Sequence, residues 1–289
     1  MARRAALWHG DGAMCGRYTL TKQDDLVADL EAALGESVQG EWWKPRFNIA
    51  PTQPAPVVLA GPATAKEFSH KARVDVVEPA ANTTAGELVN TAGERPPMRR
   101  TIELMRWGLL PFWAGRAGGK PPLMINARVE TIREKAVYRD ALAHKRCLVP
   151  ADGFFEWKRD GVGKSATKLP MYIHPEPRRT IAFAGLWARM RTDAGLVTSF
   201  TIVTGPPNTL VSPIHDRMPI VLDPSAWDTW LDPTVDAEAA HALLVVPSIA
   251  GWTVDSVGKG VNSAKNDDPS LIEPVAVEAP PPSKQGSLF

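Results

Sequence analysis

Three features of the sequence predict an α+β fold with a curved, barrel-like mixed β-sheet and flanking helices. Short apolar runs recur along the chain, bounded by Gly and Pro. Segments with a helical period are few and short. No internal repeat is present, which leaves a layered or barrel-like sheet as the way to bury those runs. The 289 residues suffice for one large domain or two small ones, and for a sizeable core. Hydrophobic residues make up 44% and charged residues 22%, the balance of a soluble globular protein.

Charge and cysteine usage narrow the function classes. The net charge is +1, so a role on nucleic acid needs a local basic patch. The two cysteines, Cys15 and Cys147, are far apart and have no metal-ligand spacing around them. They fit a reducing, cytoplasmic setting better than a disulfide framework. No apolar run approaches the roughly 18–20 residues that span a bilayer. The opening MARRAALWHGDGA lacks the apolar stretch of a signal peptide. Neither a GxGxxG nor a Walker-type loop occurs, so no cofactor and no metal are expected.

Residues 1–13 show no periodicity and read as an extension. CGRYTL alternates like a strand. A helix is expected at Lys22–Leu34, with Leu26, Leu30, Ala33 and Leu34 on one face and Gly35 as its stop. PRFNIAPTQPAPVVLA ends as a strand. Residues 61–98 read as an inserted loop, with a short strand at Val74–Val77. LMRWGLLPFW leads from a strand into a loop. MINARVETIREKAVYRDALAHKR reads as a turn and a helix that buries Ile132, Ala136 and Leu142. CLVPADGFFEWK is strand, turn, strand; TIAFAGLWARM and TSFTIVTG are strands. Residues 206–221 hold a short helix, the HDRMP turn and a strand. Helices follow near Pro224–Leu231 and Asp236–Leu243, and residues 276–289 form a Pro-rich, disordered tail.

Cys15 directly follows Met14. If it becomes the first residue, its α-amine and thiol form a 1,2-aminothiol. The amine condenses with an aldehyde to an imine, and the thiol closes a thiazolidine ring. An internal cysteine, whose nitrogen is an amide, cannot do this. The alternative is a small buried hydrophobe. Asn126 sits where an apolar strand meets a turn; its amide suits an imine or a sugar hydroxyl, or a turn or cap. Glu156 lies between Phe155 and Trp157. Burial there raises a carboxyl pKa and fits it for proton transfer; an ion pair with an Arg is the alternative. His215 in SPIHDRMP is a natural acid–base group, or a loop histidine bonded to Asp216. Arg17, Arg46, Arg106, Arg128 and Arg217, interleaved with Trp42, Trp43, Trp107 and Trp113, suit a single-stranded DNA groove of phosphate contacts and base stacking. Most of the ten tryptophans are expected to fill the core instead.

MCGRYTL, RFNIAPTQ, MRWGLLPFW, NARVET, CLVPADGFFEWK, FAGLW, TIVTGPPN, IHDRMP and VNSAKNDDPSLIEPV occur in this order between Met14 and about Val275. This ordered set resembles the SOS response-associated peptidase, or SRAP, family. The resemblance implies one α+β domain over 14–275 that binds single-stranded DNA and senses abasic sites, whose ring-opened sugar is an aldehyde. It implies a thiazolidine crosslink through Cys15, with Asn126, Glu156 and His215 as the other catalytic residues. Arg17, Trp107, Arg128, Trp157 and Thr204 fall where such proteins contact DNA or shape the pocket. Self-removal of a leading methionine and lyase-type behaviour at abasic sites are also implied.

The chain carries thirteen residues before Met14, a departure from the pattern. If they stay, Cys15 has no free amine; a start at Met14 is the expectation. Two other functions remain open: a cysteine peptidase acting on other proteins, and a non-covalent single-strand-binding module. A monomer in the cytoplasm, associated with the nucleoid, is expected. The tail ends QGSLF, in which Gln285, Leu288 and Phe289 resemble peptides that dock on bacterial sliding clamps. Deleting the last five residues is predicted to weaken pull-down by the clamp; unchanged retention would refute the idea.

Overall fold

The computed structural model describes residues 16–22, 26–35, 37–38, 44–62, 98–111, 113, 122–161, 167–192, 195–248 and 250–276. Cys15, Trp42, Trp43, Val74–Val77 and the tail residues Gln285, Leu288 and Phe289 lie outside them.

In chain order the strands begin with β1 (Arg17–Leu20), helix α1 (Leu26–Asp29), β2 (Ala32–Leu34), β3 (Arg46–Ile49), β4 (Pro54–Pro62) and β5 (Met98–Trp107). There follow β6 (Asn126–Arg128), α2 (Ala136–His144), β7 (Arg146–Ala151), β8 (Gly153–Asp160), β9 (Thr167–Pro175), β10 (Ile181–Thr192) and β11 (Gly195–Gly205). The chain closes with β12 (Met218–Pro219), β13 (Val221–Leu222), α3 (Trp227–Leu231), α4 (Ala237–Ala242) and β14 (Trp252–Ser256).

Five strands form a barrel, so the fold is α+β with a mixed, closed sheet. β4 pairs antiparallel with β5, β5 runs parallel to β11, and β11 pairs antiparallel with β10. β10 pairs with β7, and the single pair Val58↔Leu148 joins β7 back to β4. A second sheet has the order β14-β9-β8-β1-β3. Alternation gives it two apolar faces. Tyr18 and Phe154 enter the main core, whereas Phe155 and Tyr172 join a smaller core with Val257, Val261 and Ile272 of the C-terminal segment.

The expected helix at Lys22–Leu34 is corrected. Leu26 and Leu30 are buried as its apolar face requires, but α1 stops at Asp29 and Glu31 takes φ 47°. Residues Ala32–Leu34 then pair parallel with β5, and Leu34 is left 49% exposed. The open edge of β5 outweighs the local helical period. In α2, Ala136 is exposed and Tyr138 takes the buried position. Residues 209–214 form turns where a short helix was expected; Asn208 Oδ1 accepts from the backbone N–H of Leu210 and Val211.

One buried cation ties the helices to the barrel. Arg146, 4% exposed at the start of β7, donates from Nε to Trp230 O at 2.5 Å. Its Nη1 donates to Leu142 O at 2.6 Å and Ala143 O at 2.9 Å. Its Nη2 donates to Asp232 O and Val235 O. Four of these carbonyls come from the ends of α2 and α3, where the helix leaves them unsatisfied and the dipole favours a cation, and Val235 O lies in the connection from α3 to α4. Arg146→Ala strands them in the core, and is predicted to cost about 3–5 kcal/mol of unfolding free energy in denaturant titration. Arg146→Lys, with three donors for five acceptors, should recover only part of that.

Candidate functional site

β8 carries its side chains to two environments. Glu156 shares a face with Phe154, towards the barrel, and is 1% exposed. Trp157 shares the opposite face with Phe155 and packs against the smaller core. β1 lies antiparallel beside it, with Arg17↔Phe155 and Tyr18↔Phe154 in register. The first described residue, Gly16, therefore enters β1 next to the strand that holds Glu156, and Cys15 precedes Gly16 in the chain.

β1 is held in place by a buried polar cluster. The hydroxyl of Thr19 donates to Asp152 Oδ1 and lies 2.9 Å from the Tyr172 hydroxyl. Asp152 Oδ2 accepts from Thr21 N and Oγ1, each at 2.5 Å. With these partners the Asp152 carboxylate, 1% exposed, fixes the C-terminal end of β1.

His215 reaches Glu156 from the turn before β12: its Nε2 lies 4.0 Å from Glu156 Oε2. At Nδ1 two neighbours ask for opposite roles. The Arg217 backbone N–H donates to Nδ1 at 3.1 Å, which requires a bare nitrogen. The Asp216 carboxylate stands 3.0 Å away and requires a protonated one. The two contacts belong to two protonation states. In the neutral form that accepts from Arg217 N–H, His215 carries its proton on Nε2, facing Glu156; in the cation the Nδ1–H donates to the Asp216 carboxylate. Burial holds the imidazole below its ordinary pKa, and Asp216 pulls it partly back. The neutral form therefore dominates at pH 7.

Asn126 joins through β11. β6 runs parallel to β11 with Ile202↔Asn126 and Thr204↔Arg128, and β12 pairs with the same stretch through Thr204↔Pro219. Thr204 O accepts from Val129 N at 2.9 Å and from Arg217 Nη2 at 2.8 Å, so one carbonyl links the Asn126 and His215 segments. Arg217 also forms a two-pronged pair with Glu130, whose carboxyl is held below the usual range by that guanidinium. Glu130 was not singled out from the sequence, although the R-V-E of NARVET carries it.

The DNA contacts expected from the sequence divide. Arg128 is exposed. Arg17 is half-buried; its Nη1 donates to Val261 O at 3.0 Å and its guanidinium lies 6.0 Å from the centre of the Trp157 ring. Trp157 donates to Asn262 Oδ1 at 2.7 Å and stays partly open. Trp107 and Thr204 are fully buried, so of the two expected roles, contacting DNA or shaping the pocket, their burial fits the second. The Trp107 ring packs edge-on to Tyr18 at 5.2 Å, and its Nε1 donates to Ile125 O at 2.9 Å, so it supports β6 from within. Among the other described tryptophans, Trp227 and Trp230 are buried, Trp187 and Trp252 pack against the main core, and Trp113 is 38% exposed. Of the arginines, Arg46 pairs with Asp267, and Arg106 donates to Gly108 O at 3.2 Å.

The rim beside Arg17 and Trp157 is the 259–267 segment, and two residues missed from the sequence build it. Buried Asn48 donates from Nδ2 towards Ser263 O and Asn266 O, each at 3.0 Å, and Val261 O at 3.2 Å. Asp267 Oδ1 accepts from Phe47 N at 2.6 Å and Asn48 N at 3.0 Å. No cluster of potential metal ligands occurs among the described residues, and no helix there is long and apolar enough to cross a membrane. Cys147 is fully buried, and burial pushes its thiol far up from its ordinary pKa.

A closed five-stranded barrel with a histidine–carboxylate pair at the mouth of a second sheet is the class of site this geometry defines. The family model of the SOS response associated peptidase (SRAP) matches residues 14–264, and the chain belongs to that family. It is 34% identical over 267 residues to the abasic site processing protein YoqW of Bacillus subtilis, covering 90% of this chain and 99% of that one. It is 29% identical over 300 residues to the abasic site processing protein HMCES of Xenopus tropicalis, covering 90% and 78%. A crystal structure of a protein from Bacteroides thetaiotaomicron superposes with TM-score 0.69 at 20% identity, over 91% of this chain and all of that one, which supports the fold.

An NMR titration is predicted to place the His215 midpoint below about 6.5, the ordinary histidine value. Asp216→Asn should lower it further, because the carboxylate that favours the cation is gone. A midpoint at or above 6.5 contradicts this reading.

Proposed function

We propose that the protein processes abasic sites in single-stranded DNA by covalent capture through Cys15. The observation that carries this reading is the pair formed by His215 Nε2 and buried Glu156 Oε2, 4.0 Å apart, beside the strand that Cys15 leads into. Its relatives' names as abasic site processing proteins support the substrate. An oxygen about 2.8 Å from both atoms fits over such a gap, as a sugar oxygen exchanging protons requires.

The α-amine of Cys15 attacks C1′ of the ring-opened sugar, and loss of one water gives the imine. The thiol sulfur then adds to the imine carbon, its proton passes to the nitrogen, and the thiazolidine ring closes. From its minor, cationic form His215 delivers a proton to the ring oxygen as the sugar opens, Glu156 relays protons between amine and leaving water, and Asn126 orients the adduct. Arg17, Arg128 and Trp157 track the strand by phosphate contact and stacking. Cys147 takes no part, since it is enclosed in the core.

The amine must be free, so residues 1–14 must be absent from the active chain, by a start at Met14 or by self-processing. Protein whose intact mass shows Cys15 as its first residue is predicted to form a heat-stable crosslink with abasic single-stranded DNA on denaturing gels. The Cys15→Ala variant and protein retaining residues 1–14 should form none. A stable crosslink that survives Cys15→Ala would overturn the proposal. Cleavage of unrelated peptides would favour a general peptidase, and binding indifferent to the lesion a non-covalent module.

A further inference from the structure

β6 is three residues long, and its position depends on more than its pairing with β11. Successive carbonyls along a strand point to opposite edges. Ile125 O faces β11 and accepts from Ile202 N at 3.1 Å, and Trp107 Nε1 donates to the same oxygen at 2.9 Å. Asn126 O therefore faces the other edge, along which no strand runs among the described residues. There α2 supplies the partner: the Tyr138 hydroxyl donates to Asn126 O at 3.0 Å. Tyr138 is 4% exposed and belongs to the main core. Burial pushes its phenol up to about 12, so it remains a donor across the physiological range.

The two bonded carbonyls flank one α-carbon. Ile125 O fixes the peptide plane before Asn126, and Asn126 O fixes the plane after it. Because each peptide is planar, holding both sets φ and ψ of Asn126 and so the direction of its Cα–Cβ bond. Three residues of strand paired along one edge hold that direction weakly by themselves; the hydroxyl stands in for a neighbouring strand.

We propose that Tyr138 is a positioning residue: its hydroxyl bond to the Asn126 carbonyl aims the Asn126 amide at the captured sugar. This rests on the role given to Asn126 in the proposed function. The ring of Tyr138 fills core volume that phenylalanine fills equally, so the hydroxyl can be removed alone.

The test is a double-mutant cycle over wild type, Tyr138→Phe, Asn126→Ala and the double variant. Three quantities are read: the rate of crosslinking to abasic single-stranded DNA, affinity for the undamaged strand, and melting temperature. Tyr138→Phe is expected to slow crosslinking roughly 3–10-fold while undamaged-strand affinity stays within about twofold. In the Asn126→Ala background the same substitution should slow it no further. Equal slowing in both backgrounds, or none in wild type, overturns the positioning role and leaves the capture chemistry standing. A wild-type rate in Asn126→Ala overturns the role of Asn126 itself, and the positioning of it by Tyr138 falls with it.

Discussion

At its C-terminal end β11 is bonded along both edges, and both halves of the site hang on it. One edge passes from β5 to β6: Ser199↔Arg106 and Phe200↔Trp107 give way to Ile202↔Asn126 and Thr204↔Arg128. Gly108, at φ 116°, turns β5 away at that point, and a β-carbon there would lie 2.4 Å from Leu123. The other edge opens where β10 diverges, and residues 218–222 fill the gap. Ile220 N donates to Val203 O on one side, and Ile220 O accepts from Ala184 N on the other. The strand that follows His215 is thus wedged into the barrel wall, opposite the strand that begins with Asn126. A displacement of β11 would move both together.

The second sheet solves a different problem, which is how to keep a carboxylate at 1% exposure beside an apolar core. Glu156 points to the barrel face, and its neighbours Phe155 and Trp157 point to the face sealed by the C-terminal segment. That seal rests on polar groups whose burial is costly unless they are bonded. The Asn48 side-chain N–H groups and the Asp267 carboxylate are bonded across more than two hundred residues of sequence, binding β3 to the 261–267 segment. Arg17 adds a third tie to the same segment through Val261 O.

The strands were legible because alternating apolar runs bounded by Gly and Pro have few other solutions. CLVPADGFFEWK is such a case, as β7 and β8. Glu156 and His215 were each legible as acid–base groups, and their approach to 4.0 Å needed the fold. What escaped the sequence were contacts to backbone carbonyls and contacts between distant segments. Arg146 and Tyr138 both act on carbonyl oxygens, which every residue possesses and no sequence pattern marks. Trp107 was legible only in part for a related reason: beside Arg106 it reads as a stacking platform, yet its face alternates inward from β5. At Ala32–Leu34 a local helical period lost to the open edge of β5, a partner some seventy residues away.

The β4–β5 hairpin stays in unbroken register from Pro54↔Arg106 out to Pro62↔Met98. At about 3.4 Å per residue, that stem sets its outer end roughly 27 Å from the end nearest β11. Residues 63–97 are attached there, where the two strands are already zipped. Lengthening a connection at such a point adds only about 0.6 kcal/mol per doubling. The hairpin thus acts as a spacer that uncouples cargo from chemistry. A fluorophore or tethering domain grafted between Pro62 and Met98 would report on the protein without disturbing the strands that frame Asn126 and His215.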